Sequence, residues 1–281
     1  MTVIDPSIDC VDFSAQARLV HKWTEESGQH VVVEGLRGSS RAFFLAKLIK
    51  AQKRPVVIFT ADQNRGEALL EDLKYFFRHE KIKINPCFFP AWELLPYEPL
   101  SPLNEISGER LDILNRLRTE EPLVLVVPLE AGLQKVMPRL VLEKLILPVK
   151  RGMSLDREFL EACLSENGFT RSALVESRGE FSVRGDIVDF FQPGGMNPLR
   201  VEFFGDEVES IREFDALSQV SFNELEAVNI LPVRELCLSD AEKKQGIEAL
   251  KDFAEKNACD RLALKELLEK IEHLGVFSGM E

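Results

Sequence analysis

Residues 30–60 read HVVVEGLRGSSRAFFLAKLIKAQKRPVVIFT, and this stretch sets the fold class. His30 to Glu34 is a short run rich in β-branched residues, which favour extended chain. Gly35 to Ser40 is a tight loop of small residues. Arg41 to Lys50 carries apolar side chains at helical spacing, and Pro55 to Thr60 reads as a second, buried strand. Strand, loop, helix and strand in that order predict a parallel α/β sheet, because parallel neighbours need a crossover. The same alternation continues outward. A helix is expected over Ala61–Phe77, a strand over Ile82–Phe89, a helix over Ser107–Arg118 and a buried strand over Leu123–Pro128.

The pattern changes near Pro148. A short helix over Glu158–Asn167 ends at Gly168. Glu180–Arg184 then alternates with period two, Asp186–Phe191 is strongly β-forming, and Pro193–Pro198 is a turn. Leu199–Phe204 alternates again, Gly205-Asp206 marks another turn, and Glu207–Phe214 and Ala227–Pro232 add strand-like runs. Hairpins without intervening helices predict a small antiparallel α+β domain inserted into, or following, the first. Beyond Leu238 the pattern is helical over Ala241–Phe253 and Asp260–Leu274, with Ser239 as the expected N-cap and Asp240 and Glu242 in the first turn. The run from Val276 to Glu281 reads as cut off. The Pro-rich segment Pro90–Pro102 carries Trp92 and Tyr97 and is expected to pack on its domain; the alternative is a docking loop.

At 281 residues the chain has room for about two domains. Its hydrophobic share of 45% and charged share of 29% are those of a globular protein and exclude a disordered or collagen-like chain. The net charge of −12 argues against a general nucleic-acid backbone binder, which relies on Lys and Arg. Cys10, Cys87, Cys163, Cys237 and Cys259 are scattered, with no CxxC, and read as reduced cytosolic thiols. The first 30 residues lack a basic region followed by an apolar run, so no signal peptide is expected, and no stretch is apolar enough to predict a membrane span.

Two places carry candidate chemistry. The loop at Gly35 sits where a phosphate-binding loop sits, yet the required G-x-x-x-x-G-K-S/T is degraded. Gly35 and Gly38 are present, but Ser40 replaces the second required glycine, Arg41 the lysine and Ala42 the magnesium-binding hydroxyl. The expected state is a relic loop without ATP chemistry, and no cofactor is expected. His21, His30, His79 and His273 occupy no catalytic motif. In the hairpins, period two sets Arg200, Glu202 and Phe204 on one face of their strand and Arg184 on the matching face of the preceding one. Arg184, Arg200 and Phe204 have the composition of a protein-binding hot spot; the plainer reading is surface arginines near a partly covered Phe.

Longer motifs carry a resemblance. GEFSVRGDIVDFF (179–191) and RVEFFGDEVESIREFD (200–215), preceded by Gly168–Arg171 and Arg178, resemble the UvrB-homology region of the bacterial transcription-repair coupling factor family. FPAWELLPYE (89–98) is similar to the coupling factor and not to UvrB, as is the degraded loop at 35–42. The resemblance implies a RecA/helicase-like domain split in two, at 1–146 and 235–281, around a UvrA-interaction domain at 147–234. It implies a cytoplasmic, non-enzymatic adaptor for nucleotide excision repair that binds UvrA through Arg184, Arg200 and Phe204. It also implies that the parent protein reaches RNA polymerase and DNA through further domains and masks the UvrA face by an intramolecular contact. No motor motifs are read in these residues. The rival expectation is a nucleotide-dependent helicase or DNA-binding fragment with residual ATP binding at Gly35–Ala42.

Overall fold

The computed structural model describes residues 3–4, 14–25, 30–51, 54–94, 98, 100–119, 122–238, 240–257 and 259–274. The expected N-cap Ser239, Tyr97 and the run 276–281 lie outside the described residues. The chain divides into two compact units, Met1–Ala91 with Ile113–Lys135, and Trp92–Asp112 with Val136–Glu281. The architecture is mixed α/β, with parallel and antiparallel sheets.

The first unit contains β1 (Val3–Ile4), α1 (Ser14–Glu25), β2 (Val32–Val33), α2 (Ser40–Ala51), β3 (Val56–Thr60), α3 (Gln63–His79) and β4 (Cys87–Phe88). Helix α4 (Asn104–Arg118) gives its residues from 113 onward to this unit, which closes with β5 (Val124–Pro128) and α5 (Leu129–Leu133). Strands β3, β5 and β4 form a parallel sheet in that order. The central strand β5 is buried at every residue, which is why it reads as an unbroken apolar run. One core joins Val124 and Val126 to Ala42, Ala46, Ile49, Leu73 and Phe77 of α2 and α3. A second joins Leu123, Leu125 and Val127 to Ile113, Phe89, Ala91 and Ala131. Asp62 caps α3, accepting from the Arg65 N–H at 2.8 Å.

Three sequence expectations are corrected here. The strand expected over 82–89 shrinks to β4: Pro86 has no N–H to donate, and only Cys87 and Phe88 pair with β5. The run 55–60 is not a strand buried on both faces. It forms β3, the edge of the sheet, with Val57 and Phe59 exposed. The run at 30–34 contributes only β2, half-buried and paired with β1 instead of joining the three-stranded sheet.

The second unit adds α6 (Arg139–Leu145), β6 (Leu147–Lys150), α7 (Arg157–Glu166), β7 (Thr170–Arg171), β8 (Glu180–Arg184), β9 (Ile187–Phe190), β10 (Leu199–Phe204), β11 (Glu207–Phe214), β12 (Ser221–Glu224), β13 (Ala227–Ile230), α8 (Asp240–Lys256) and α9 (Arg261–Leu274). Strands β12-β11-β10-β9-β8-β7 form one six-stranded sheet, antiparallel except for β7 with β8. The run at 227–230 pairs instead with β6, antiparallel. One sheet face is apolar. Phe181, Val188, Phe190, Leu199, Val201, Phe203, Val208 and Ile211 pack with Leu160 and Leu164 of α7 and with Phe169, Ile230 and Val233. The facing residues of α4 stay close to the turn after β9: a Cβ on Gly108 would sit 2.3 Å from the Gly194 backbone nitrogen, so only glycine fits. Arg110, fully buried, is ion-paired with Glu235, which also accepts from the Trp92 indole N–H at 3.0 Å. That contact packs Trp92, as the sequence expects, and satisfies a charge that would otherwise be stranded.

Candidate protein-docking face

The six-stranded sheet leaves its second face to polar side chains. Two tight turns build it. Gly185 and Gly205 both have a φ of 60°, and each opens a two-residue connection, between Arg184 and Ile187 and between Phe204 and Glu207. Positive φ at the first turn position suits glycine and fixes the register of both hairpins. Directly opposed residues then line up across five strands. Ser182 faces Asp189, Asp189 faces Arg200, Arg200 faces Arg212, and Arg212 faces Glu224.

Asp189 is the centre of this row. Its carboxylate is 1% exposed. Arg200 approaches it as a fork, Nε donating to Oδ1 at 2.8 Å and Nη2 to Oδ2 at 3.0 Å. Arg184 Nη2 donates to the same Oδ2 at 2.6 Å. Two guanidiniums therefore share one buried carboxylate, the arrangement that makes a buried charge tolerable. Arg200 is held further by the Phe214 ring, 4.6 Å from its guanidinium carbon, and by Nη1 donating to the Gln219 carbonyl and the Ser221 hydroxyl at 3.4 Å each. The hydrogen bonds to Asp189 raise the Arg200 pKa above its already high ordinary value.

Arg184 is the more open of the two, with 45% of its side chain exposed, against 13% for Arg200. Phe204 ends β10 on the same face and is 78% exposed. Beside them runs a second charged network. Arg212 pairs with Glu202 at 3.0 Å and with Glu224 at 3.5 Å, and Ser210 donates to Glu202 at 2.7 Å. The alternation of β10 thus places Arg200, Glu202 and Phe204 where period two predicts, on the face opposite Leu199, Val201 and Phe203.

The loop at the start of α2 is arranged differently. Gly35 and Gly38 have φ values of 83° and 52°, so the loop keeps its glycine conformations. Its polar groups are turned on one another. The Arg37 N–H donates to Ser40 Oγ at 2.8 Å, the Ser40 hydroxyl donates to the Arg37 carbonyl at 2.7 Å, and the N–H groups of Ser40 and Arg41 donate to the carbonyls of Arg37 and Gly38. Arg41 Nε donates to the Leu36 carbonyl at 3.3 Å. Ala42 is fully buried in the first core. Ser40 therefore staples the loop shut where a glycine would open it toward a phosphate. Among the described residues no group of His, Cys, Asp or Glu is placed to hold a metal, and no helix is long and apolar enough to cross a membrane.

Sequence reasoning missed Asp189 and Phe214. The only signal for Asp189 was a lone carboxylate in the run Ile187–Phe191. An acid there has to find cationic partners, and the arginines at the facing positions supply them.

Comparison with known proteins bears on the domain that carries this face. Residues 147–236 match the family model described as the UvrB interaction domain. The chain is 36% identical over 259 residues to the transcription-repair-coupling factor of Myxococcus xanthus, covering 91% of this chain and 22% of that protein. It is 32% identical over 210 residues to the transcription-repair-coupling factor of Escherichia coli K12, covering 75% of this chain and 18% of that one. It is also 29% identical over 271 residues to UvrABC system protein B of Legionella pneumophila, covering 88% of this chain and 41% of that one. The chain spans about a fifth of the length of the coupling factors it matches. The resemblance read from the motifs at 179–191 and 200–215 is therefore borne out, and both motifs fall inside the UvrB interaction domain.

Proposed function

We propose that this chain is a non-enzymatic adaptor module of transcription-coupled nucleotide excision repair, which binds UvrA and, within a longer coupling factor, brings it to stalled RNA polymerase. The domain match and the relatives support a role in nucleotide excision repair. The observation that carries the finer reading is an exposed Phe204 beside two arginines ordered on a buried carboxylate. An exposed aromatic next to organised guanidiniums is the composition of a binding hot spot. Arg184 offers charge-assisted hydrogen bonds to a carboxylate of UvrA, and Phe204 fills an apolar pocket at the centre of the contact. Arg200 serves mainly to hold Asp189.

Residues 1–146 are read as the first part of a degenerate RecA-like domain, resumed at 235–281 around the UvrA-interaction domain at 147–234. The parallel strands alternating with helices in 1–146 support that reading, and the self-bonded loop supports the absence of ATP chemistry. RNA polymerase and DNA belong to the longer protein's further domains, the cell compartment is the cytoplasm, and the UvrA face is masked there until it is needed.

The test is titration of UvrA against the full chain by calorimetry, in wild type and in a variant carrying Arg184→Ala and Phe204→Ala together. Saturable binding lost in the variant supports the reading. Binding that survives in the variant refutes the site, and no binding by wild type refutes the adaptor role. Saturable micromolar binding of ATP with Mg²⁺ would favour the rival, a nucleotide-dependent fragment.

A further inference from the structure

Asp189 makes no direct claim on a partner, because only 1% of it is exposed. Its oxygens nevertheless tie β8 to β10 through side chains at this row, one receiving Arg200 alone and the other both arginines. The two arginines are held unequally. Every guanidinium nitrogen of Arg200 is engaged: Nε and Nη2 on Asp189, Nη1 on Gln219 and Ser221. Arg184 uses Nη2 alone, and among the described residues no acceptor meets its Nε or Nη1.

We infer that Asp189 is the positioning residue of the docking face: anchored by Arg200 from behind, it fixes the guanidinium plane of Arg184 so that the free Nε and Nη1 donors face an incoming carboxylate. This rests on the docking reading above and deepens it. The physical case is entropic and electrostatic. A free arginine has many rotamers, and ordering it at the moment of binding costs affinity. Ordering it beforehand removes that cost. Without the carboxylate, Arg184 and Arg200 would also repel one another at close range. The Phe214 ring under Arg200 keeps the anchor from swinging out.

The experiment is a double-mutant cycle on the full chain, with UvrA affinity measured for wild type, Asp189→Asn, Arg184→Ala and the two combined. Each single substitution is expected to weaken binding about tenfold, and the double substitution is expected to be no weaker than Arg184→Ala alone. Losses that multiply would show Asp189 acting independently of Arg184 and overturn the inference. A second measurement needs no partner: nitrogen relaxation of the arginine Nε–H groups in the free chain. Arg184 is expected to be ordered in wild type and released in Asp189→Asn with the backbone amide spectrum retained. An Arg184 already mobile in wild type overturns the inference, and this result is obtainable even where Asp189→Asn fails to fold. If wild type does not bind UvrA while Arg184 is ordered and then released, the partner assignment fails and the positioning role stands.

Discussion

The loop at 35–42 and the face around Asp189 start from similar material. Each places glycines in positive φ and basic side chains beside the end of a strand. They differ in where the polar groups are spent. In the loop, Ser40 and Arg41 bond to the loop's own carbonyls, and Ala42 is sealed in the core. On the face, one carboxylate gathers two guanidiniums while leaving Arg184 with free donors and Phe204 bare. The difference teaches that glycines and cations do not make a site. What matters is whether the surrounding groups consume the hydrogen-bonding capacity or aim it outward.

The largest effect expected on this contrast is on binding. Arg184→Ala with Phe204→Ala should weaken UvrA binding about a hundredfold by calorimetry, since each is an exposed side chain of the proposed hot spot. Arg41→Ala, in the spent loop, should leave that affinity unchanged, and equal losses from both would erase the contrast. Next comes stability. Arg200→Ala strips the fork from a buried carboxylate and should cost about 3 kcal/mol in urea unfolding, whereas Arg184→Ala, with its half-exposed side chain, should cost about 1 kcal/mol or less. A reversed order would mean that Arg184 is the anchor. Titration of ATP with Mg²⁺ to millimolar concentration should show no saturable binding, and binding in the micromolar range would reopen the loop as a site.

The smallest effect is electrostatic and belongs to the first unit. Glu80 receives Lys47 at 2.8 Å and Lys50 at 3.0 Å, and the hydrogen bond from Lys47 leads in lowering its pKa below the ordinary carboxylate value. A carboxyl whose folded pKa is depressed adds stability that is fully present above its unfolded pKa and is lost as pH falls through the folded one. Glu80→Gln should therefore flatten the acid limb of the stability curve below about pH 4.5 and leave the docking face untouched. An unchanged acid limb would show that the pair contributes nothing.

Much of the fold was legible because hydrophobic period follows secondary structure. Strands β8 and β10 fall at the residues their period-two alternation predicts, β11 at the strand-like run 207–214, and the helices α2, α3, α7, α8 and α9 within a few residues of theirs. The misreadings share one cause. An apolar run does not state which neighbour it pairs with, so 55–60 looked like a strand buried on both faces and is an edge, and 82–89 looked longer than the two residues that find a partner on β5. Strands β6 and β12 escaped notice because Pro148 and the polar residues at 221–224 hide their pattern.

By itself the sequence determined the alternation that sorts Arg200, Glu202 and Phe204 from Leu199, Val201 and Phe203, because side chains along a strand must alternate. It also determined that the loop lacks the lysine and hydroxyl of a phosphate-binding loop, which no fold restores. Only the tertiary structure decided that Asp189 lies between Arg184 and Arg200. That neighbourhood depends on the register of three strands: the Gly185 turn sets β8 against β9, the connection 191–198 joins β9 to β10, and the buried face locks both, so a slip of one residue would have turned the carboxylate into the core.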